Sequence, residues 1–303
     1  MNKDKVTERD FRGYANQSPD PAWPDKARIA VSLVLNIEEG AELSLGAGDE
    51  RNEAMHEFTA EVKGNRDLCM ESHFEYGSRS GYWRVVELLQ RYGVTCTVNA
   101  CVRALETTPW ITEDIIQRGY EIMCHGYRWE AQAHLSEADE RALIQQCTSQ
   151  IEALSGNRPF GWHTKSYPSV NTRQLLADEG YLYDSNVYND DLPYALDINK
   201  RPYICVPYSF DTNDMRFFNG GGFEFGDDFA QYCGDAFDWL WQEGETNPKM
   251  MTIALHSRVI GRPGRIAGLE KLLKHIHSKG QVWWAQRVDI ARHWQDVVLA
   301  RSE

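Results

Sequence analysis

Residues 27–40 read ARIAVSLVLNIEEG, a mostly apolar, β-branched run that ends in two glutamates and a glycine. This composition predicts a buried β-strand over residues 27–36. The sequence of the turn that follows distinguishes between two possible α/β folds. A doubly wound nucleotide-binding sheet needs a glycine-rich phosphate turn there, whereas this chain places the carboxylates of Glu38 and Glu39 at that point. The stretch therefore favours a barrel whose first strand ends in a pair of carboxylates.

Further along the chain, segments of strand and helix character alternate. Strands are predicted over 94–100, 120–125, 158–163, 181–185, 203–208, 250–256 and 281–285, and helices over 81–92, 109–118, 136–154, 171–180, 227–244, 265–280 and 288–300. Such alternation is typical of a parallel sheet. About eight strands predict a closed or nearly closed barrel. No linker or repeat divides the chain, so one domain over residues 1–303 is expected.

Two segments lie outside this alternation. Residues 1–27 are polar and contain three prolines, and we interpret them as an arm that packs on the surface or on a neighbouring subunit. Residues 38–79 are rich in Gly, Glu and Asn and are predicted to form an irregular loop. A loop of this length in a compact domain is usually functional or makes contacts between subunits.

Composition narrows the class of protein and its partners. The chain of 303 residues has a net charge of −13, which argues against a nucleic-acid surface, because phosphate binding needs clustered Lys and Arg. No apolar run approaches the length of a membrane span, and the N-terminus lacks the apolar core of a signal peptide. The seven cysteines form no CxxC pair and are interpreted as small buried apolar residues in a reducing compartment. We therefore expect a cytoplasmic protein without nucleic-acid or membrane partners.

Polar side chains follow several of the predicted strands. Carboxylates, imidazoles and cationic groups would meet at one rim, because working residues of a barrel gather at the C-terminal ends of its strands. One carboxylate can deprotonate water, a histidine can protonate a leaving nitrogen, and arginines can bind a polar substrate and stabilise an oxyanion. This pattern predicts hydrolysis. The candidates at the strand ends are Glu38, Glu39, His125, Arg128, Trp129, His163, Lys165, His256 and Arg258.

Each candidate also has an ordinary structural interpretation. Glu38 and Glu39 could be solvated loop charges, although their position between a buried strand and a glycine favours function. His125 or His256 alone could be a core histidine. Arg258 could belong to a surface face, since the residues after it, IGRPGR, indicate a loop.

Short motifs in these segments resemble those of polysaccharide deacetylases. LNIEEG (35–40) resembles the first motif of that family, HGYRW (125–129) its two-histidine motif, and ALHSR (254–258) its Leu-x-His motif. Longer strings match the cofactor-independent allantoinases, an offshoot of the same superfamily, over nearly the whole chain. These strings are RDFRGY, ARIAVSLVLNIEEG, ESHFEYGSRSGYWR, CHGYRW, NTRQLLADEGYLYDS, DDLPY, DTNDMRF and IGRPGR through VDIARHW.

The resemblance implies a distorted (β/α) barrel of the NodB-like type, with about seven to eight parallel strands, and a homotetrameric enzyme. It implies that Glu38 is the base, that His256 is the acid, and that Glu39 and His125 stand at inherited metal-ligand positions. The second histidine ligand of the deacetylases is replaced by Trp129, which has no lone pair to donate. The resemblance therefore implies catalysis without metal or other cofactor.

One loop departs from the allantoinase pattern. Residues 162–172 read WHTKSYPSVNT, which is one residue longer, lacks an arginine and gains His163. His163 could restore a metal site with Glu39 and His125, or it could form a hydrogen bond with substrate or a carboxylate, which we favour. Arg128 and Arg258 are predicted to face the cavity and bind substrate carbonyls, with Trp129, His163 and Lys165 nearby.

Three functions remain open from the sequence. The first is a hydrolase that opens a cyclic amide, with allantoin as first candidate and hydantoins and cyclic imides after it. The second is a metal-dependent deacetylase of amino sugars, which would need a repaired metal site. The third is a binding protein for small molecules that has lost catalysis; the presence of Glu38, His125 and His256 together argues against it.

Overall fold

A computed structural model describes residues 8–54, 62–218 and 222–300. Nine strands form one sheet in these ranges. Most lie within a few residues of their predicted positions, but the predicted segment at 158–163 forms only two residues of strand, and the strand at 194–198 was not predicted. The strands are β1 (Ile29–Ile37), β2 (Thr97–Ala100), β3 (Glu121–Cys124), β4 (Gly161–Trp162), β5 (Tyr183–Asp184), β6 (Tyr194–Ile198), β7 (Arg201–Cys205), β8 (Lys249–His256) and β9 (Val282–Trp284).

The hydrogen-bonded order is β6-β7-β5-β4-β3-β2-β1-β8, and β9 also pairs with β1. Every pairing is parallel except β6 with β7. The predicted distorted α/β barrel is thus confirmed. Of the closed and nearly closed forms that the sequence allowed, the closed one does not occur, because the sheet path among the described residues ends at β6 and β8. The β6–β7 hairpin lies at one end of the path. At the other end, Ala254 of β8 forms an isolated parallel bridge with Asn213.

Strand β1 pairs with three strands, β2, β8 and β9, and all nine of its residues are buried. It pairs with β8 over Ile29–Asn36 and Lys249–His256, and with β2 over Val34–Ile37 and Thr97–Ala100. Burial on both faces explains why residues 29–37 form a nearly continuous apolar run. Since β1, β2 and β8 are in parallel register, the residues that follow them emerge at one edge.

The helices pack outside the sheet. Ser136 caps one of them by accepting the backbone N–H of Asp139, and Gly156 ends it in the left-handed conformation. Thr108 stands at an N-cap position, but its hydroxyl donates to the carbonyl of Ala104 and does not cap. The helices are α1 (Leu68–Tyr76), α2 (Tyr82–Arg91), α3 (Val102–Thr107), α4 (Pro109–Gln117), α5 (Glu137–Ser155), α6 (Thr172–Glu179), α7 (Gly226–Glu243), α8 (Ser257–Ile260), α9 (Pro263–Lys279) and α10 (Arg287–His293).

The segment expected to be an irregular loop over 38–79 is partly helical, which corrects that prediction; its residues 55–61 lie outside the described ranges. Helix α1 begins at Leu68 and continues into a π-helical turn over Gly77–Gly81. A Cβ at Gly77 would lie 1.9 Å from Glu39 Oε1, and one at Gly81 would lie 2.0 Å from the carbonyl oxygen of Ser257. Gly77 falls in the predicted loop and Gly81 at the start of the predicted helix over 81–92, and both allow this turn to press directly on the strand ends.

The N-terminal arm packs on its own chain in the residues that are described. Trp23 is buried against Trp283 and Trp294, and the Tyr14 hydroxyl donates to the carbonyl of Pro193. All seven cysteines are free thiols, and all but Cys69 are buried. Within the described ranges, none of the helices has the combination of length and apolarity that a membrane span requires.

Candidate active site

Glu38 is the centre of a buried polar cluster at the end of β1. Its Oε1 lies 3.3 Å from His125 Nε2 and 3.5 Å from His256 Nε2, and its Oε2 lies 2.7 Å from Arg258 Nη1. These residues come from the ends of β1, β3 and β8. The parallel sheet therefore brings together three of the predicted catalytic residues and one predicted binding residue, since these strands end at the same edge.

The pKa values of the two adjacent glutamates are shifted in opposite directions. Burial alone would raise the pKa of Glu38, but Arg258 and His256 lower it well below its usual range. Burial raises the pKa of Glu39, whose carboxylate accepts the backbone N–H of Glu38 and packs against Gly77. Glu38 thus has the lower pKa of the pair and is ionised, and it is the one in contact with both imidazoles.

His256 is held by a carboxylate that the sequence analysis did not single out. Asp214 Oδ1 lies 2.6 Å from His256 Nδ1, and Asp214 Oδ2 accepts the backbone N–H groups of His256 and Ile260. Burial disfavours the imidazolium, but Glu38 and Asp214 outweigh it and raise the pKa of His256 to about 9. A cationic His256 therefore directs Nε2–H toward Glu38 at neutral pH.

Arg258 is fully buried beneath the glutamates, two residues after His256. Its guanidinium lies over the rings of Phe74, at 4.2 Å, and Trp129, at 5.2 Å from their centroids. Nη1 of Arg258 pairs with Glu38, and Nε and Nη2 have no hydrogen-bond acceptor among the described residues. Arg258 is thus a fixed cation with unused donors.

His163 lies in a different environment on the same rim. Its ring stacks on those of Tyr208 and His125, with centroids 4.2 and 5.2 Å away. Nδ1 lies 3.2 Å from Asn99 Nδ2, and Nε2 lies 3.2 Å from the Tyr188 hydroxyl. Burial lowers the pKa of His163 well below its usual range, and it is therefore neutral.

The deacetylase family implies a metal at this position, and the residues present do not fit one. Both ring nitrogens of His163 are engaged by Asn99 and Tyr188, and Nδ1 of His125 contacts the carbonyl oxygen of His163 at 2.5 Å. Arg258 supplies a cation beside Glu38, where a second cation would be repelled. Across residues 8–54, 62–218 and 222–300, no group of three or more His, Cys, Asp or Glu side chains is arranged to hold a metal ion.

The other predicted binding residues lie around this cluster. The guanidinium of Arg128 pairs with Asp49 and donates to the carbonyl of Glu42, so its contacts favour a role in holding the 42–49 segment over the predicted role in binding substrate.

Lys165 Nζ binds Glu53 at 2.9 Å and lies 3.5 Å from the centroid of the Trp129 ring. The Trp129 ring therefore lies close to two cations, Lys165 and Arg258.

Sequence reasoning missed four residues that organise the cluster: Asp214, Asn36, Asn99 and Tyr188. Asn36 and Asn99 lie at the ends of β1 and β2, and the rule that pointed to Glu38 and His256 could have found them. Asp214 is within the quoted string DTNDMRF, but nothing local distinguishes it from Asp211. Only the fold brings it to His256.

Comparisons with known proteins agree with this architecture. Residues 64–185 match the family model described as polysaccharide deacetylase. A Schizosaccharomyces pombe protein named as a polysaccharide deacetylase is 39% identical over 94% of this chain and 96% of its own.

Two solved structures resemble the whole chain. A probable polysaccharide deacetylase from Pseudomonas aeruginosa is 45% identical with a TM-score of 0.90, covering 94% of this chain and 97% of its own. A structure described as Puue allantoinase is 44% identical with a TM-score of 0.91, covering 95% and 97%. Sequence identity and fold together show that this chain belongs to the polysaccharide deacetylase superfamily.

Proposed function

We propose that this protein is a metal-independent hydrolase that opens a cyclic amide, with allantoin as the first candidate substrate and hydantoins and cyclic imides as the next. The observation that carries the proposal is Arg258, a buried guanidinium at the ionised base of the cluster. A hydrolase needs a positive group to stabilise the oxyanion that forms when water adds to a carbonyl. Arg258 offers fixed charge and unused N–H donors for that purpose.

The reaction proceeds through Glu38 and His256. Glu38 takes a proton from water, the oxygen adds to a ring carbonyl, and His256 Nε2–H protonates the ring nitrogen as the C–N bond breaks. The product carries an acid and a ureido or amide group. Asp214 keeps His256 in the required orientation, because its carboxylate holds the Nδ1–H.

The same geometry allows the enzyme to reset. After one turnover Glu38 holds a proton and His256 has lost one. Oε1 of Glu38 and Nε2 of His256 are 3.5 Å apart, so the proton can return directly to the imidazole once product leaves. No external proton carrier is needed between turnovers.

The alternative is a metal-dependent deacetylase of amino sugars. The names of the S. pombe and P. aeruginosa relatives favour it. It would require a metal at a position where Arg258 already lies and where His163 has no free nitrogen. The 44% identity to a protein named as an allantoinase favours the first proposal. The tetramer and the cytoplasmic location remain predictions.

A substrate panel separates the two functions. Purified protein is dialysed against chelator, analysed for metal, and assayed with allantoin, hydantoin, succinimide and chitin oligosaccharides. Ring opening that persists in chelator and disappears in Glu38→Gln is the expected result. Acetate release from the oligosaccharides that requires added zinc would contradict the proposal and establish the deacetylase.

A further inference from the structure

We propose that Tyr188 is a substrate-binding residue, and that the hydrogen bonds from the backbone carbonyl of Leu255 through Asn36, Asn99 and His163 force its hydroxyl to donate away from His163. This rests on the proposed ring-opening function. Tyr188 is half-buried, between the buried His163 and the exposed Phe210, on whose ring it stacks with centroids 4.0 Å apart. It thus lies where the cluster meets the surface.

The direction of each bond follows from a group that can only accept. The carbonyl oxygen of Leu255 lies 3.0 Å from the Asn36 amide, so Nδ2 of Asn36 must face it. Oδ1 of Asn36 then faces Asn99 at 2.7 Å and requires a donor, which fixes Nδ2 of Asn99 on that side. Neither amide can be flipped without placing two oxygens in contact.

The same Asn99 nitrogen then determines the tautomer of His163. Its second hydrogen points to His163 Nδ1, 3.2 Å away, which must therefore be the unprotonated nitrogen. The proton of the neutral ring is on Nε2, 3.2 Å from the Tyr188 oxygen. Tyr188 thus accepts a hydrogen bond from His163, and its own proton points elsewhere, toward a ligand or toward Ser166, whose side chain also lies within hydrogen-bonding reach of the phenol.

This arrangement selects a chemical group in the substrate. A phenol whose oxygen already accepts a hydrogen bond is a better donor through its own proton. The group it fits is a carbonyl oxygen, and a cyclic ureide or imide has more than one. Arg258 would take the carbonyl that reacts, and Tyr188 would take a second carbonyl of the ring.

The first test does not depend on the substrate. Nitrogen-15 NMR of histidine-labelled protein, with His163 assigned by its loss in His163→Gln, reports which ring nitrogen carries the proton. We expect a neutral ring protonated at Nε2 between pH 6 and pH 8. A ring protonated at Nδ1 would reverse the bond to Tyr188 and overturn the inference.

The second test measures binding and turnover with allantoin. Tyr188→Phe should raise KM about tenfold, the value of one hydrogen bond to a ligand, and change kcat less than about threefold. Tyr194→Phe removes a hydroxyl that donates to the exposed Asn189 and also lies near Cys205, outside the Glu38 cluster, and is the matched control. A KM for Tyr188→Phe within about twofold of wild type overturns the inference. If the wild type opens no ring amide, the proposed function fails, and the tautomer still decides the direction of the hydroxyl.

Discussion

The site has a charged half and a neutral half, each built around a histidine at the end of a strand. In the charged half, His256 lies between the carboxylates of Glu38 and Asp214. In the neutral half, His163 lies between an amide, Asn99, and a phenol, Tyr188. Both imidazoles are buried, and burial disfavours the cation in both.

The difference shows that neighbours, and not burial, assign the role of a histidine here. Carboxylates raise the pKa of His256 to about 9, whereas His163 has no carboxylate within hydrogen-bonding distance in the described part of the chain, so burial lowers its pKa. The first ring is suited to donate a proton during reaction. The second is suited to fix the direction of a hydrogen bond.

The largest loss of activity is expected when Glu38, the base in the charged half, is replaced. Glu38→Gln should lower kcat at least about a hundredfold, because general-base loss typically costs that much. Steady-state assays with allantoin, alongside thermal unfolding, measure the change. Glu42→Gln alters a buried carboxylate that accepts the backbone N–H of Gly40 and is the matched control. A Glu38→Gln enzyme with more than about a tenth of the wild-type rate would exclude Glu38 as the base.

The second variant gives His256 an amide neighbour in place of a carboxylate, as His163 has in the neutral half. Asp214→Asn removes a carboxylate that raises the pKa of His256, so His256 should lose its proton at lower pH. Wild-type kcat/KM should fall as pH rises through about 9, and in the variant this fall should move to lower pH, with a loss of about tenfold or more at neutral pH. An unchanged pH profile would show that His256 is not the acid.

Arg258 tests whether the charge or the shape of the cation matters. Arg258→Lys keeps the charge but loses the planar fork and the contact with Phe74 and Trp129, so kcat/KM should fall about tenfold. Kinetics with allantoin measure this, and thermal unfolding checks the fold. Wild-type kinetics in the variant would leave the proposed oxyanion role without support.

The smallest effect is expected at Arg128, outside both halves. Arg128→Lys should retain the ion pair with Asp49, and kcat/KM should change less than about threefold. The same assay used for Arg258→Lys provides the comparison. A loss as large as that of Arg258→Lys would restore the predicted role of Arg128 in substrate binding.

Local sequence patterns were enough to locate the first strand, most helices and the residues at the strand ends. A strand buried on both faces must be apolar throughout, and a helix must alternate apolar and polar faces, so both leave a local pattern. The glutamates after β1 and the histidines after β3, β4 and β8 could therefore be named in advance. Sequence motifs similarly pointed to the superfamily.

How those residues are used depends on contacts that form only in the folded chain. Asp214 lies 42 positions before His256, and Asn99 lies 64 before His163, and no local pattern records such pairs. The same is true of helix α1 and its π-helical turn, since Gly77 reads as a loop residue until Glu39 is found against it. The charge of a buried group depends on the groups that surround it in space, and parallel strands collect those groups from distant parts of the chain.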